Sequence, residues 1–173
     1  MTDRLVPPQL TTKAIILGIA LSMILAGANA YLGLFAGMTV SASIPAAVIS
    51  MAILRLFRNS NILENNIVQT AASAGESLAA GVIFTIPALV ILGYWDVFDY
   101  WGVSVISGLG GLLGVLFTIP LRRSLIVEEC LAYPEGRAKA EVLKVGEDPK
   151  SGIRQLVLAA LTGALVKLGS SGL

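Results

Sequence analysis

The chain has 173 residues, of which 55% are hydrophobic and only 13% are charged, and its formal net charge is +1. Soluble domains carry about 25% charged residues, so this composition argues against a soluble enzyme and against a disordered segment. A nucleic-acid-binding protein would need a basic stripe, and no nucleic-acid partner is expected. The composition predicts an all-α, polytopic membrane protein whose helices cross the lipid bilayer.

The chain contains no histidine and a single cysteine, Cys130. Histidine-based catalytic sites, histidine metal sites, internal disulfides and cysteine-rich metal clusters are therefore excluded. We expect no catalytic residues, no cofactor and no metal held by the protein itself. The predicted class is not an enzyme.

The first half of the chain predicts two membrane helices within residues 14–56, after a polar N-terminal segment at residues 1–13. The 41 residues from Ala14 to Leu54 carry no charge, whereas one span needs about 20 apolar residues. We therefore expect a tight turn at about Ala28–Met38 and a second helix from about Thr39 to Leu56. A signal peptide ending near residue 30 is the less favoured alternative.

The second half predicts two further helices and a truncated one. Helix 3 is expected within residues 65–92 and helix 4 within residues 100–121. Residues 122–152 form a polar connector with short helices, and residues 153–173 form a fifth apolar segment. That segment has no polar flank at its end, so we expect the chain to be the N-terminal part of a longer protein.

Basic residues alternate between successive loops. Eleven of the twelve lie in the N-terminal segment, after helix 2, or between Arg122 and Arg154. Cytoplasmic loops are enriched in Lys and Arg. The pattern predicts a multi-pass protein of the plasma (cytoplasmic) membrane with its N-terminus in the cytoplasm.

Glu76 is the main candidate for chemistry, because it is the single charge inside helix 3 and a charge at the centre of a helix costs roughly 2.5–3.5 kcal/mol to insert. At about 100° per residue, Asn65, Gln69, Ser73 and Glu76 share one sector of the helix. This sector is expected to line a substrate or proton pathway, or to form a polar seam against another helix. Lys167, deep in the last segment, could pair with Glu76 or lie in a re-entrant loop.

A second candidate region surrounds the predicted first turn. Asn29, Tyr31, Ser41 and Pro45 are expected to form a gate or hinge there. Ser41 and Pro45 could mark a locally unwound segment of the kind that binds substrates in transporters. The alternative is an ordinary turn near the outer interface.

Three blocks of this sequence resemble the oligopeptide transporter (OPT) family, which includes the yellow-stripe-like metal-chelate carriers. They are NAYLGLFAGMTVSASIPAAVI at Asn29–Ile49, NNIVQTAASAGESLAAGVIFTIPAL at Asn65–Leu89 and EECLAYPEGRAKAEVL at Glu128–Leu143. The resemblance implies secondary active uptake, usually coupled to protons, of small peptides, glutathione-like thiols or metal chelates. It places the following residues in family motifs: Asn29, Tyr31, Thr39, Ser41, Pro45, Gln69, Ser73 and Glu76.

Two functional hypotheses follow. In the first, the chain is the front part of a proton-coupled symporter of small peptides or peptide-like metal chelates, and it works with the remainder of the same transporter. Glu76 then binds a proton or the substrate amine. In the second, the chain is a small membrane scaffold or assembly subunit whose polar seam binds a partner helix.

Overall fold

A computed structural model describes residues 7–57, 60–129, 131–147, 158, 161–163, 165–166 and 169–170. All regular elements assigned over these residues are helical. They are α1 (Thr12–Ala36), α2 (Ser43–Leu54), α3 (Ile62–Ile91), α4 (Tyr100–Arg122), a π-helical continuation of α4 (Arg123–Glu128) and α5 (Pro134–Glu147). The all-α class is confirmed.

Three of the helices within the described residues are long and apolar enough to cross a membrane. They are α1, α3 and α4 with its π-helical continuation, and α2 is a shorter apolar helix. The chain is therefore part of a multi-pass membrane protein. Most of the predicted fifth segment, including Lys167, lies outside the described residues, so that span remains a prediction.

The prediction that the turn centres on Asn29–Gly33 is wrong, because α1 continues through these residues. The chain turns only at the end of the predicted range Ala28–Met38. The helix begins at Thr12 and continues through Asn29 to Ala36. Gly37 ends it with a φ of 68°, and its N–H donates to the Gly33 carbonyl over 3.0 Å. Glycine adopts this left-handed conformation at little cost, so the chain turns here.

The residues after α1 do not continue directly into a second full-length helix. Met38–Ala42 have no helical hydrogen-bonding pattern, and α2 covers only 12 residues in place of the predicted Thr39–Leu56. At 1.5 Å per residue, α2 is about 18 Å long, roughly half of a bilayer core. Residues 37–42, called the 37–42 segment below, thus join one spanning helix to one half-length helix.

Helices α1 and α3 run side by side in the same direction, and small residues let them pack closely. A Cβ atom added at Gly18 would lie 3.1 Å from the Ala71 Cβ atom. One further turn along, a Cβ atom at Gly75 would lie 3.2 Å from the Ser22 Cβ atom. Close approach through small residues is the usual packing of membrane helices.

Helix α2 returns along α3 in the opposite direction, because Ser43 contacts Ser73 while Ser50 contacts Asn65. Helix α5 then packs along α2. Leu143 is buried against a small apolar cluster with Ala47 and Met51. The polar connector predicted at residues 122–152 therefore contains a helix that is docked on the membrane helices.

Candidate functional site

Glu76 lies at the middle of the 30-residue helix α3, half-buried. Its Oε2 atom accepts a hydrogen bond of 2.7 Å from the backbone N–H of Ala42. Ala42 is the last residue of the 37–42 segment and is buried. The carboxylate therefore meets the non-helical segment at half the depth of the longest spanning helix.

Ala42 is also the N-cap of α2, and its own side chain makes no capping hydrogen bond. In a capping box, a glutamate in the first turn of the same helix accepts from the N-cap N–H. Here Glu76 makes the equivalent bond from a different helix. The N-terminus of a helix carries a partial positive charge, so a carboxylate is a favourable partner for this N–H.

Asn29 holds the same segment from the other side. Its side chain is buried, with 3% of its surface exposed. The Nδ2 group donates to the Val40 carbonyl over 2.8 Å, and the Oδ1 atom accepts from the Val40 N–H over 3.0 Å. The amide thus satisfies both main-chain groups of Val40, as a neighbouring β-strand would.

The predicted polar sector of α3 contacts α2 through three of its four members. The Ser43 hydroxyl donates to Ser73 Oγ over 3.0 Å. The Ser50 hydroxyl donates to Asn65 Oδ1 over 2.9 Å, and Glu76 binds Ala42 as described. These contacts are interhelical hydrogen bonds, the arrangement of a polar seam.

Gln69, the fourth member, borders a groove between α3 and α5. The groove has a volume of about 370 Å³, which falls within the usual range of small-molecule sites. Gln69 is 7% exposed, and Lys139 on α5 borders the same groove. Gln69 is therefore a buried amide at the edge of a space large enough for a small ligand.

Glu135 connects α5 to the 37–42 segment. Its Oε1 atom accepts a bond of 3.4 Å from the Ser41 hydroxyl and lies 2.8 Å from the Lys139 Nζ atom. The hydrogen bond and charge of Lys139 hold the pKa of the Glu135 carboxyl below its ordinary value. Glu135 is thus an anion next to the segment that Glu76 also contacts.

The other predicted gate residues are less closely involved. Tyr31 is 67% exposed, and its ring stacks on Phe35 with 5.9 Å between ring centroids. Pro45 is exposed in the first turn of α2, where a missing N–H breaks no helical bond. Both therefore lie beside the segment without bonding to it, and Lys167 lies outside the described residues.

Sequence reasoning missed Glu64, the most connected carboxylate of the described residues. Its side chain is 1% exposed, accepts from the Thr11 hydroxyl over 2.6 Å and lies 3.0 Å from the Lys13 Nζ atom. Asn61 and Glu64 also form a capping box at the start of α3. The spacing Asn-x-x-Glu before an apolar run is the signal that could have identified this helix start.

No group of three or more Cys, Asp or Glu side chains within the described residues could hold a metal ion. The polar groups around the 37–42 segment are instead serines, amides, carboxylates and one lysine. Such groups can bind protons, ammonium groups, carboxylates and peptide bonds.

Comparison with known proteins gives consistent results. The profile of the family described as "OPT oligopeptide transporter protein" matches residues 9–168. A Haemophilus influenzae protein named "Putative oligopeptide transporter" is 50% identical over 145 residues, which are 83% of this chain and 23% of that protein. The Saccharomyces cerevisiae protein "Putative oligopeptide transporter YGL114W" is 29% identical over 157 residues, covering 79% of this chain and 22% of that protein.

No solved structure matches the chain. The chain spans less than a quarter of the length of these two curated relatives. The family match extends over nearly the whole sequence and includes α1 to α5 and the 37–42 segment. The chain belongs to the OPT oligopeptide transporter family.

Proposed function

We propose that this chain forms part of the translocation pathway of a secondary active transporter. The transporter takes up small peptides or peptide-like metal chelates across a membrane together with protons. Family membership and the names of both relatives support peptide transport. The activity is that of the full-length protein, since the chain corresponds to less than a quarter of each relative.

The observation that carries this proposal is the position of Glu76. A carboxylate at the middle of a membrane helix is costly unless it has a partner or a function. Its partner is the main chain of an unwound segment, at Ala42. Unwound segments inside membrane proteins occur where they line a cavity or are buried in protein, and in transporters they contribute to substrate and ion sites.

The groove beside Gln69 is a second element of the proposed pathway. An amide side chain can donate to and accept from a peptide bond, and Lys139 can attract a carboxylate. Peptides and peptide-like chelates carry both groups. The proposed path therefore runs from this groove, past Ser73, toward Glu76. Pairing of Glu76 with Lys167 remains a prediction.

The proposed orientation places the N-terminus in the cytoplasm. Lys13 lies beside Glu64 at the start of α3, and the Arg55 guanidinium donates to the Gly146 carbonyl. Arg55, which follows α2, is therefore near the same end of the bundle as Lys13 at the start of α1. Grouped basic residues favour the cytoplasmic face.

The test uses the full-length protein in cells, with uptake of a labelled tripeptide mixture and of a metal chelate measured with and without a proton gradient. Glu76→Gln removes the charge but keeps the size, so we expect it to abolish gradient-driven accumulation while insertion is normal. Glu141→Gln is the matched control, because Glu141 is exposed on α5 and pairs only with Lys144 among the described residues.

Two results would contradict the proposal in different ways. Unchanged uptake by Glu76→Gln would remove Glu76 from the mechanism. If the unmodified, correctly inserted protein showed no gradient-dependent uptake of either probe, the symporter assignment for these substrates would be wrong. The scaffold hypothesis, in which the polar seam binds a partner helix, would then be favoured.

A further inference from the structure

The main chain of the 37–42 segment is held by two side chains of different chemistry. On the α1 side, Asn29 makes two hydrogen bonds to Val40, and an amide does not titrate. On the α3 side, Glu76 makes one hydrogen bond to Ala42, and a carboxylate can take up a proton. A proton can therefore act on one attachment of the segment and leave the other unchanged.

Few other charges surround Glu76 among the described residues. On α3 itself the other charged residue is Glu64, in the first turn, which pairs with Lys13. Residues 14–54 contain no Asp, Glu, Lys or Arg, so α2, the 37–42 segment and α1 beyond Lys13 contribute none. Their one tyrosine, Tyr31, is exposed and stacks on Phe35. On α4, residues 101–121 are also uncharged.

Helix α5 supplies the ionisable groups nearest the segment, Glu135 and Lys139. They form an ion pair of 2.8 Å, and Glu135 reaches the segment through Ser41. Lys139 lowers the pKa of Glu135, so this pair keeps its charges when the pH falls moderately. Among the described residues, Glu76 is the carboxylate at the segment that has no cation within ion-pair distance.

Protonation of Glu76 weakens the attachment of α2 to α3 at the level of Ala42. A hydrogen bond to an ionised acceptor is roughly twice as strong as a neutral one, and the favourable interaction with the α2 N-terminus is also lost. The remaining hydrogen bond at this level, between Ser43 and Ser73, joins two neutral groups and is weaker than a bond to an ionised carboxylate.

Helix α5 is attached to α2 more closely than to α3. Leu143 is buried with Ala47 and Met51, and Arg55 donates to the Gly146 carbonyl. Between α5 and α3 lies the groove of about 370 Å³. A movement of α2 away from α3 would therefore carry α5 along and widen the groove beside Gln69.

We propose that α2 and α5 form one gate, which separates from α3 when Glu76 takes up a proton, while Asn29 keeps the 37–42 segment fixed to α1 as the hinge. The inference rests on the proposed function, which assigns proton binding to Glu76. It adds which helices move, α2 and α5, and which residue holds the segment in place, Asn29. In this arrangement Asn29 is a positioning residue, and proton uptake opens the groove to the substrate.

A disulfide lock between α2 and α3 tests the gate. The Ser43 and Ser73 hydroxyl oxygens are 3.0 Å apart, so Ser43→Cys with Ser73→Cys places two thiols in contact. The pair is made in the full-length protein with Cys130 and other cysteines replaced. Uptake of the labelled tripeptide mixture is compared between the reduced and oxidised forms of this same double variant. We expect the uptake that the reduced pair retains to fall several-fold on oxidation and to recover on reduction.

The matched control is a disulfide between α1 and α3. These two helices do not move relative to each other in the proposed gate. Ser22→Cys with Gly75→Cys joins positions whose Cβ atoms would be 3.2 Å apart, slightly closer than in most disulfides. Oxidation of this pair should leave uptake unchanged. Uptake that survives complete oxidation of the Ser43/Ser73 pair would overturn the gate. Absence of uptake in the cysteine-free parent would instead count against the transport function.

A second measurement applies even if the lock does not form. Ala42→Cys reports exposure of the segment, because Ala42 is buried and meets Glu76 through its main chain. The readout is its rate of maleimide labelling at one fixed pH, which keeps the thiol chemistry constant. Glu76→Gln imitates the protonated state, and we expect several-fold faster labelling than with Glu76. Equal rates in the two backgrounds would show that Glu76 does not hold the segment.

Discussion

Lys13 and Glu64 join the first turns of α1 and α3, with 3.0 Å between the Lys13 Nζ atom and the Glu64 Oε2 atom. The carboxylate is almost fully buried and also accepts from Thr11 and from the Asn61 backbone N–H. Because both helices start at this contact, it aligns them in parallel. The same alignment places Gly18 of α1 opposite Ala71 of α3.

Replacing Glu64 should therefore be strongly destabilising. Breaking a buried ion pair from one side costs about 3–5 kcal/mol, and Glu64→Ala also removes the capping box. We expect a clearly lower melting temperature of the purified full-length protein in detergent. Glu64→Gln also removes the charge but keeps hydrogen-bond acceptance, so it should lose less stability than Glu64→Ala and still be less stable than the unmodified protein. An unchanged melting temperature in Glu64→Gln would contradict a role for the charge.

Close packing between α1 and α3 gives a second prediction. Gly18→Leu would place a large side chain where even a Cβ atom lies 3.1 Å from Ala71. Overpacking of this kind costs about 1–3 kcal/mol, so we expect a lower melting temperature. Gly27→Leu is the control, because a Cβ atom at Gly27 meets nothing within 4 Å. Similar behaviour of both variants would argue against the packing of α1 on α3.

Docking of α5 on α2 gives a third prediction. Leu143→Ala removes a buried side chain from the cluster with Met51, at a cost of about 2 kcal/mol or more. We expect faster tryptic cleavage within α5, at Arg137 and Lys139, in the full-length protein. Leu131→Ala, at an exposed position, should not change the rate. An unchanged rate in Leu143→Ala would show that this cluster does not hold α5.

Much of the helix pattern could be predicted from local sequence. Helix 4 was expected at residues 100–121 and α4 covers Tyr100–Arg122. The side of α3 that carries Asn65, Ser73 and Glu76 faces a neighbouring helix, as the helical spacing of these residues predicted. Runs of apolar residues and the helical period are local properties, so these features need no knowledge of the tertiary structure.

The first turn could not be placed because it depends on contacts between distant residues. Asn29 looks like a helix breaker in the sequence, but Val40 satisfies its amide, so α1 continues past it. The capping of α2 likewise depends on Glu76, which is 34 residues away from Ala42. Glu64 was missed for a simpler reason: the third helix was predicted to begin at Asn65, whereas α3 begins at Ile62.

Asn29 provides the last prediction. Asn29→Ala removes two hydrogen bonds to Val40, with a net loss of about 2 kcal/mol at roughly 1 kcal/mol each, and leaves both main-chain groups of Val40 unpaired. We expect faster maleimide labelling of Ala42→Cys, a buried position, and reduced uptake in the full-length protein even when Glu76 is intact. Without the Asn29 amide, the 37–42 segment is no longer held to α1. It therefore detaches without any change in the protonation of Glu76.

Two variants separate this role from a general loss of stability. Asn29→Asp can accept from the Val40 N–H but cannot donate to the Val40 carbonyl when ionised, so its labelling rate should be intermediate. Asn66→Ala, on the exposed surface of α3, should leave labelling at Ala42→Cys unchanged. If Asn29→Ala lowered the melting temperature but labelled at the unmodified rate, Asn29 would stabilise the fold without holding the segment, and the hinge would have to lie elsewhere.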